Sequence, residues 1–269
     1  MKTNIKKALF KYGATIRKCK LYNGQKMFIT NKDKGLSKDI YLNGIREENA
    51  LKYFLNCIDS NDVVLDLGAN MGFYSIQEAL IAKKVINVEP VTTNFSFLVL
   101  NTIENNLTNI ENYNIAISDT NGVIDFFESE AGNLSCLDKK NESHNYSKIK
   151  VISFTGQDFL KEFDVTANVL RMDVEGAELE VLESFGEKLK DFNKIFLEVH
   201  EVYLKDQVLK LFRTLGKAEF NVFWYVPDEK RYGKYEKQIV SLHKLATMKR
   251  EGVYHLFCFK GGKKWKLLL

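Results

Sequence analysis

Two prolines, Pro90 and Pro227, are all this 269-residue chain carries, and no Gly/Ser-rich stretch or internal repeat interrupts it. Nothing therefore marks a linker between separate folding units, and a chain of this length fills one large domain. The four cysteines, Cys19, Cys57, Cys136 and Cys258, are scattered with no C-x-x-C pair. With no secretory signal in view, free thiols in a reducing, cytoplasmic setting are the expectation. Also missing is any apolar run near the ~20 residues that a membrane span needs.

Charge is modest in sum and uneven in place. The formal net charge is +4, yet residues 1–38 hold eleven Lys/Arg against the single acid Asp33. Ile5, Leu9, Tyr12 and Ile16 fall at helical spacing between these lysines, the pattern of a helix lying on an anionic membrane surface. A solvated leader is the plainer reading of the same residues. The closing KGGKKWKLLL poses the same choice. The expected organisation is a basic extension with a hairpin over 1–40, one domain over 41–260, and a tail over 261–269.

The stretch that organises the chain is VVLDLGANMGFYS, residues 63–75. Val63 to Leu65 is an unbroken apolar run, as in a central parallel strand, and the chain after Asp66 turns to small residues and then to a helical pattern from about Met71. Gly68 and Gly72 would let a ligand approach the main chain at the strand's carboxyl end. The pattern D-x-G-x-N-x-G is not the three-glycine dinucleotide fingerprint. Asp66 at the helix start disfavours pyrophosphate and suits a cationic ligand, while Glu89, at the end of the Lys84–Val88 strand, can accept both hydroxyls of a ribose. A phosphate-free, positively charged adenosine cofactor, S-adenosylmethionine, fits best; a plain strand-to-helix turn with an Asp cap is the alternative.

Taken in order, Asn23-Gly24 predicts a hairpin over Lys18–Thr30 that prefaces the core. Leu42 to Ile58 reads as one helix, burying Ala50, Leu51, Phe54, Leu55 and Ile58 and bringing Glu47 toward the cofactor end of the sheet. Asn94–Leu107 is the next helix, with Phe95, Leu98, Val99, Ile103 and Leu107 as its apolar face. Tyr113–Ile117 is a third strand, Val123–Phe127 a hairpin addition, and the polar residues 129–148 a loop over the site. Strands follow at Val151–Phe154, Val169–Met172, Lys194–His200, Phe220–Val226 and Val253–Phe259, with helices near Asp158 and over Val208–Leu215, and a charged excursion at 227–250. The fold class is α/β: a doubly wound, mostly parallel, seven-stranded Rossmann-like sheet with an antiparallel last strand and an N-terminal β-hairpin extension.

Acids gather at the carboxyl ends of two strands. Asp173, Glu175 and Glu178 crowd the turn after Val169–Met172, where Glu178 also reads as an ordinary first-turn helix acid. In KIFLEVH, Glu198 and His200 break the apolar pattern of a central strand on one face. Asp173, Glu175 and His200 are the catalytic candidates, with a divalent ion between Asp173 and Glu198 an open option.

The motifs DLGANMGFYS (66–75), NVEP (87–90), AISDTNG (116–122), LRMDVEGAELEVL (170–182) and LEVH (197–200) together resemble the FkbM-type family of class I S-adenosylmethionine-dependent methyltransferases, over about residues 40–260. The resemblance implies O-methylation of a small-molecule or glycan acceptor. It implies that Asp66, Gly68, Asn70 and Gly72 hold the methionine part of the cofactor, with Glu47, Ala69, Tyr74, Ser75 and Asp173 also among the cofactor-binding residues. Glu89 would take the ribose, and Ser118 and Asp119 the adenine. Arg171 stands where the family usually has Lys. An RNA methyltransferase, a nucleotide-dependent oxidoreductase and a non-catalytic cofactor-binding protein are the competing classes; no Asn-Pro-Pro-aromatic stretch of the kind found in amino-directed nucleic-acid enzymes follows the fourth strand.

Overall fold

The computed structural model describes residues 6–7, 9–11, 13–129, 146–227, 237–250 and 252–261. Ile5, Tyr12, most of the predicted loop 129–148, much of the excursion 227–250 and the terminal residues 262–269 lie outside them.

Strands β1 (Ile16–Lys20) and β2 (Lys26–Thr30) form the antiparallel hairpin around Asn23-Gly24, with Cys19 opposite Met27. It is more than a preface, because Met27 and Ile29 are fully buried in the same cluster as Phe54, Ile76 and Trp224. A helix not expected from the sequence, α1 (Leu36–Asn43), precedes the one expected over 42–58, which is shorter, α2 (Glu48–Leu55). Gly44, at φ 72°, ends the first and Glu47, at φ 49°, starts the second, so the chain turns sharply between them. Ala50, Leu51 and Phe54 form the buried face of α2 as the spacing predicts.

The central sheet begins with β3 (Val63–Leu67), which leads into the short helix α3 (Phe73–Glu78), then β4 (Lys84–Val88). Helix α4 (Thr92–Glu104) follows, but its buried face differs from the apolar spacing: Ile103 is exposed, while Asn94, Asn101 and Thr102 are buried. For Asn101 the reason is the hairpin. Asn101 accepts the Phe28 amide at 2.6 Å and donates to the carbonyls of Phe28 and Met71 at 3.1 and 2.8 Å, joining the edge of β2 to the turn after β3.

The single strand expected over 113–117 is two, β5 (Ile110–Tyr113) in the main sheet and β6 (Ala116–Ile117) in a separate one. With β7 (Gly122–Ser129) and β8 (Tyr146–Phe154), β6 makes a three-stranded sheet whose inner face, including Phe126 and Val151, packs on Val91. Helix α5 (Gly156–Glu162), capped by the Thr155 side chain, leads to β9 (Val169–Met172). Then come α6 (Glu178–Ser184), β10 (Lys194–His200), α7 (Glu201–Leu204) and α8 (Val208–Lys217). Strands β11 (Phe220–Pro227) and β12 (Gln238–Val240), helix α9 (Leu242–Thr247) and β13 (Val253–Lys260) complete the described chain.

The main sheet runs β12-β11-β13-β10-β9-β3-β4-β5, eight strands instead of seven because the excursion contributes β12. Neighbours from β5 to β10 are parallel, and β13 lies antiparallel between β10 and β11. From β3 the chain builds outward through β4 and β5, then crosses over to β9 and β10 on the other side. Such a reversal opens a crevice beyond the carboxyl ends of β3 and β9, where α/β sheets place ligands. No helix among the described residues is long and apolar enough to cross a membrane.

Candidate active site

Two cavities meet at that crevice. The larger, of about 70 Å³, is lined by Gly68, Asn70, Glu89, Pro90, Val91, Asn94, Ala116, Ile117, Phe126, Asp173 and Glu175, among others. The smaller, of about 40 Å³, is lined by Arg46, Glu47, Gly68, Ala69, Asn70, Tyr74, Arg171, Asp173 and Glu175 with Leu36 and Phe73. Gly68, Asn70, Asp173 and Glu175 belong to both walls, so the turns after β3 and β9 form the threshold between them.

The β3 turn is built tightly around its glycines. A Cβ on Gly68, at φ 77°, would stand 1.9 Å from the Asp173 carbonyl oxygen, and one on Gly72, at φ 87°, would stand 2.8 Å from Leu98 Cδ1. Both glycines therefore serve close packing against the neighbouring turn and helix; Gly68 alone of the two lines a cavity. Glu89 organises the same loop. Its carboxylate accepts the amides of Asn70 at 2.8 Å and Val91 at 2.9 Å, and burial pushes it up to about 7 against those stabilising hydrogen bonds.

Asp66 is not where a ligand cation would meet it. It is fully buried; one oxygen accepts from Arg171 Nη1 at 2.7 Å, its register neighbour on β9, and the other from Ser75 Oγ at 3.0 Å. Ser75 is thereby spent as well. The Arg171 guanidinium sits 3.9 Å over the Tyr74 ring and 3.8 Å from Asp173, and the Tyr74 hydroxyl donates to Glu47 at 3.2 Å. Arg46 closes the chain of contacts at 2.6 Å from Glu47. Asp66 thus acts one layer back, holding the arginine that faces the threshold.

Ser118 and Asp119, expected at the adenine, are not in the cavity wall. Ser118 is buried with its hydroxyl 2.7 Å from that of Ser153, and Asp119 is exposed beside Glu180, because β6 turns off into the second sheet before reaching them. Ala116, Ile117 and Phe126 occupy that wall instead.

Around the threshold, carboxylates outnumber their cations. Burial, then repulsion from Glu198, pushes Asp173 up to about 8, and its Oδ1 is buried with no hydrogen-bond partner among the described residues. Glu175, held in the left-handed region at φ 49°, is pushed up to about 7 by burial, against the pull of His200; Glu198 is pushed to about 7 by burial and Glu47. His200 stands behind this wall. Its Nδ1 is 2.8 Å from Glu178 Oε1 and its Nε2 is 3.2 Å from Glu175 Oε2. Burial alone would favour neutral imidazole, but Glu175, Glu178 and Glu198 outweigh it and hold the ring protonated. His200, expected among the catalytic residues, lines neither cavity and meets the threshold through Glu175.

The donor atoms of Asp173, Glu198 and His200 lie within 4.8 Å of one another, as do those of Glu47, Glu198 and His255. In the first set both His200 nitrogens are engaged by glutamates, so the ion expected between Asp173 and Glu198 would have the two carboxylates alone. Residue patterns missed Arg46, Asn94 and Phe126 as wall residues and Glu178 as the partner of His200. Arg46 had a signal, as a cation beside Glu47; Phe126 had none, since its place depends on how a second sheet folds over the first.

A family model described as the methyltransferase FkbM domain matches residues 66–230. No curated protein matches the sequence. Among solved structures the fold is similar to M. jannaschii TYW2 in complex with AdoMet, at 15% identity and TM-score 0.48 over 92% of this chain and 86% of that one. An rRNA methylase from Streptococcus thermophilus aligns at 11% identity and TM-score 0.48, covering 81% of this chain and 98% of that one. A precorrin-6y C5,15-methyltransferase from Geobacter metallireducens aligns at 12% and 0.45, over 80% and 87%. The weight rests on the family match.

Proposed function

Because this chain belongs to the FkbM methyltransferase family, whose members use S-adenosylmethionine, we propose that it methylates a hydroxyl of a small neutral acceptor, a sugar or glycan. The observation that carries the reading is the pair of cavities joined at Gly68, Asn70, Asp173 and Glu175, walled by carboxylates in excess of their cations. When bound, the cofactor supplies an electrophilic methyl group on a sulfonium.

The residues present suit such a group. Asp173 Oδ1 is an acceptor without a donor among the described residues, and a ligand ammonium or sulfonium offsets the burial, and the repulsion added to it, that raise Asp173, Glu175 and Glu198. Glu89, with Asn70 and Val91 fixed on it, offers its remaining lone pairs to a ribose, and Ala116, Ile117 and Phe126 give the larger cavity an apolar end. Glu47, Tyr74 and Arg46 wall the smaller cavity, which would receive the acceptor end.

Glu175 is the base in this reading. A carboxylate near 7 takes a proton from an alcohol as the methyl group moves, a contribution of about 10²–10⁴-fold. Asp173 orients cofactor and acceptor at the threshold. A rim of acids also disfavours a phosphodiester backbone, which supports a neutral acceptor over RNA. The test is a product screen with methyl-labelled S-adenosylmethionine against sugars, glycolipids and RNA. Label in a sugar, lost in Glu175→Gln with cofactor binding retained, is the expected result. Label in RNA alone would overturn the acceptor assignment, and stabilisation by NAD(H) instead of S-adenosylmethionine would overturn the cofactor.

A further inference from the structure

Glu178 opens α6, where first-turn acids are common, yet it is fully buried. A helix-dipole role needs no burial. Its Oε1 accepts the Gly176 amide at 2.8 Å and also lies 2.8 Å from His200 Nδ1. Its Oε2 is buried with no partner among the described residues. One carboxylate oxygen thus ties the tip of the β9 turn to the end of β10. Such an arrangement costs desolvation, and the compensation visible is the charge of the ring it faces.

We propose that Glu178 is a positioning residue for methyl transfer, whose carboxylate clamps His200 Nδ1 and the Gly176 amide together and so aims His200 Nε2 at Glu175, the group that receives the acceptor's proton. The inference rests on the reading of Glu175 as base. The charged groups facing His200 are Glu175 and Glu178 from the β9 turn and α6, Glu198 at 3.9 Å on its own strand, and Asp173; the ring also stacks on Tyr203 with centroids 6.0 Å apart. Among these, Glu178 is the one that meets Nδ1, so it decides which way the ring points. Glu175 in turn sets Oε2 at 3.2 Å from Nε2, an ion-pair contact, and lines both cavities. Its left-handed backbone, followed by Gly176 at φ 96°, is a shape that the Gly176–Glu178 bond helps to hold.

The experiment compares the full chain with Glu178→Gln, which keeps shape and removes charge, and with Glu178→Asp. Long-range ¹H–¹⁵N NMR of the imidazoles reads His200 directly, since the chain has only four histidines. The wild type is expected to keep both His200 nitrogens protonated to a higher pH than Glu178→Gln, in which Glu175 and Glu198 still face the ring. With the acceptor found in the product screen, Glu178→Gln should lower kcat about tenfold or more, shift the acidic limb of the pH profile, and leave cofactor KM within about twofold; Glu178→Asp should restore part of kcat. A His200 that stays doubly protonated to the same pH in Glu178→Gln, with an unchanged pH profile, overturns the proposal. So does a wild-type His200 with an unprotonated Nδ1, which needs no variant to fold. If the wild type transfers no methyl group yet His200 responds as described, the clamp stands and the base assignment fails.

Discussion

Asp173 is the residue at which charge and geometry pull hardest against each other. An unfolded carboxylate titrates near ~4, whereas the folded site pushes Asp173 up to about 8 through burial and then Glu198. The folded state therefore binds more protons than the unfolded one between those limits. Stability from this group is full below the unfolded value and is lost as pH rises through the folded one. Thermal unfolding from about pH 5 to about pH 8.5 should show the wild type losing melting temperature relative to Asp173→Asn, about 2–4 °C for each kcal/mol lost. A constant gap across that range would mean that Asp173 titrates normally. At this scale the sequence was a partial guide. The acids of DVEGAE are legible as a cluster because strand ends collect functional side chains, but their partners are not: Asp66 looks like a ligand carboxylate until its register neighbour Arg171 is seen to occupy it.

Elements are legible where one period dominates. Strand β10 is bounded as its apolar run predicts, and so is β9, since both are covered on two faces. Reading fails where a neighbour sets the rule. Helix α4 buries Asn101 because the hairpin edge needs a partner, and no spacing of apolar residues contains that fact. The break between α1 and α2 follows from left-handed Gly44 and Glu47, where a continuous helical pattern hides two turns. The hairpin contact carries its own prediction. Asn101→Ala leaves the Phe28 amide and carbonyl and the Met71 carbonyl without their partner, a loss of about 1–3 kcal/mol for each group left unsatisfied. Urea unfolding of that variant should show a lowered midpoint with the slope kept. An unchanged midpoint would mean that water replaces the asparagine and that the hairpin is an appendage.

For the whole molecule, topology makes the site. The chain reverses between β3 and β9, which brings Asp66, Glu89 and Asp173, distant in sequence, to one end of one sheet. The second sheet then folds Phe126 over the larger cavity. What the crevice lacks is positive charge: Glu47, Glu89, Asp173 and Glu175 outnumber Arg46 and Arg171 at its walls, with Glu198 and His200 behind. A cationic cofactor completes that balance, and the family match agrees with it. The most direct measurement is calorimetric titration of S-adenosylmethionine into the wild type and into Asp173→Asn at about pH 8. The account predicts one saturable site per chain, weakened about tenfold in the variant, a difference of ~1.4 kcal/mol. No saturable binding to the wild type, or equal affinity in the two proteins, would contradict it.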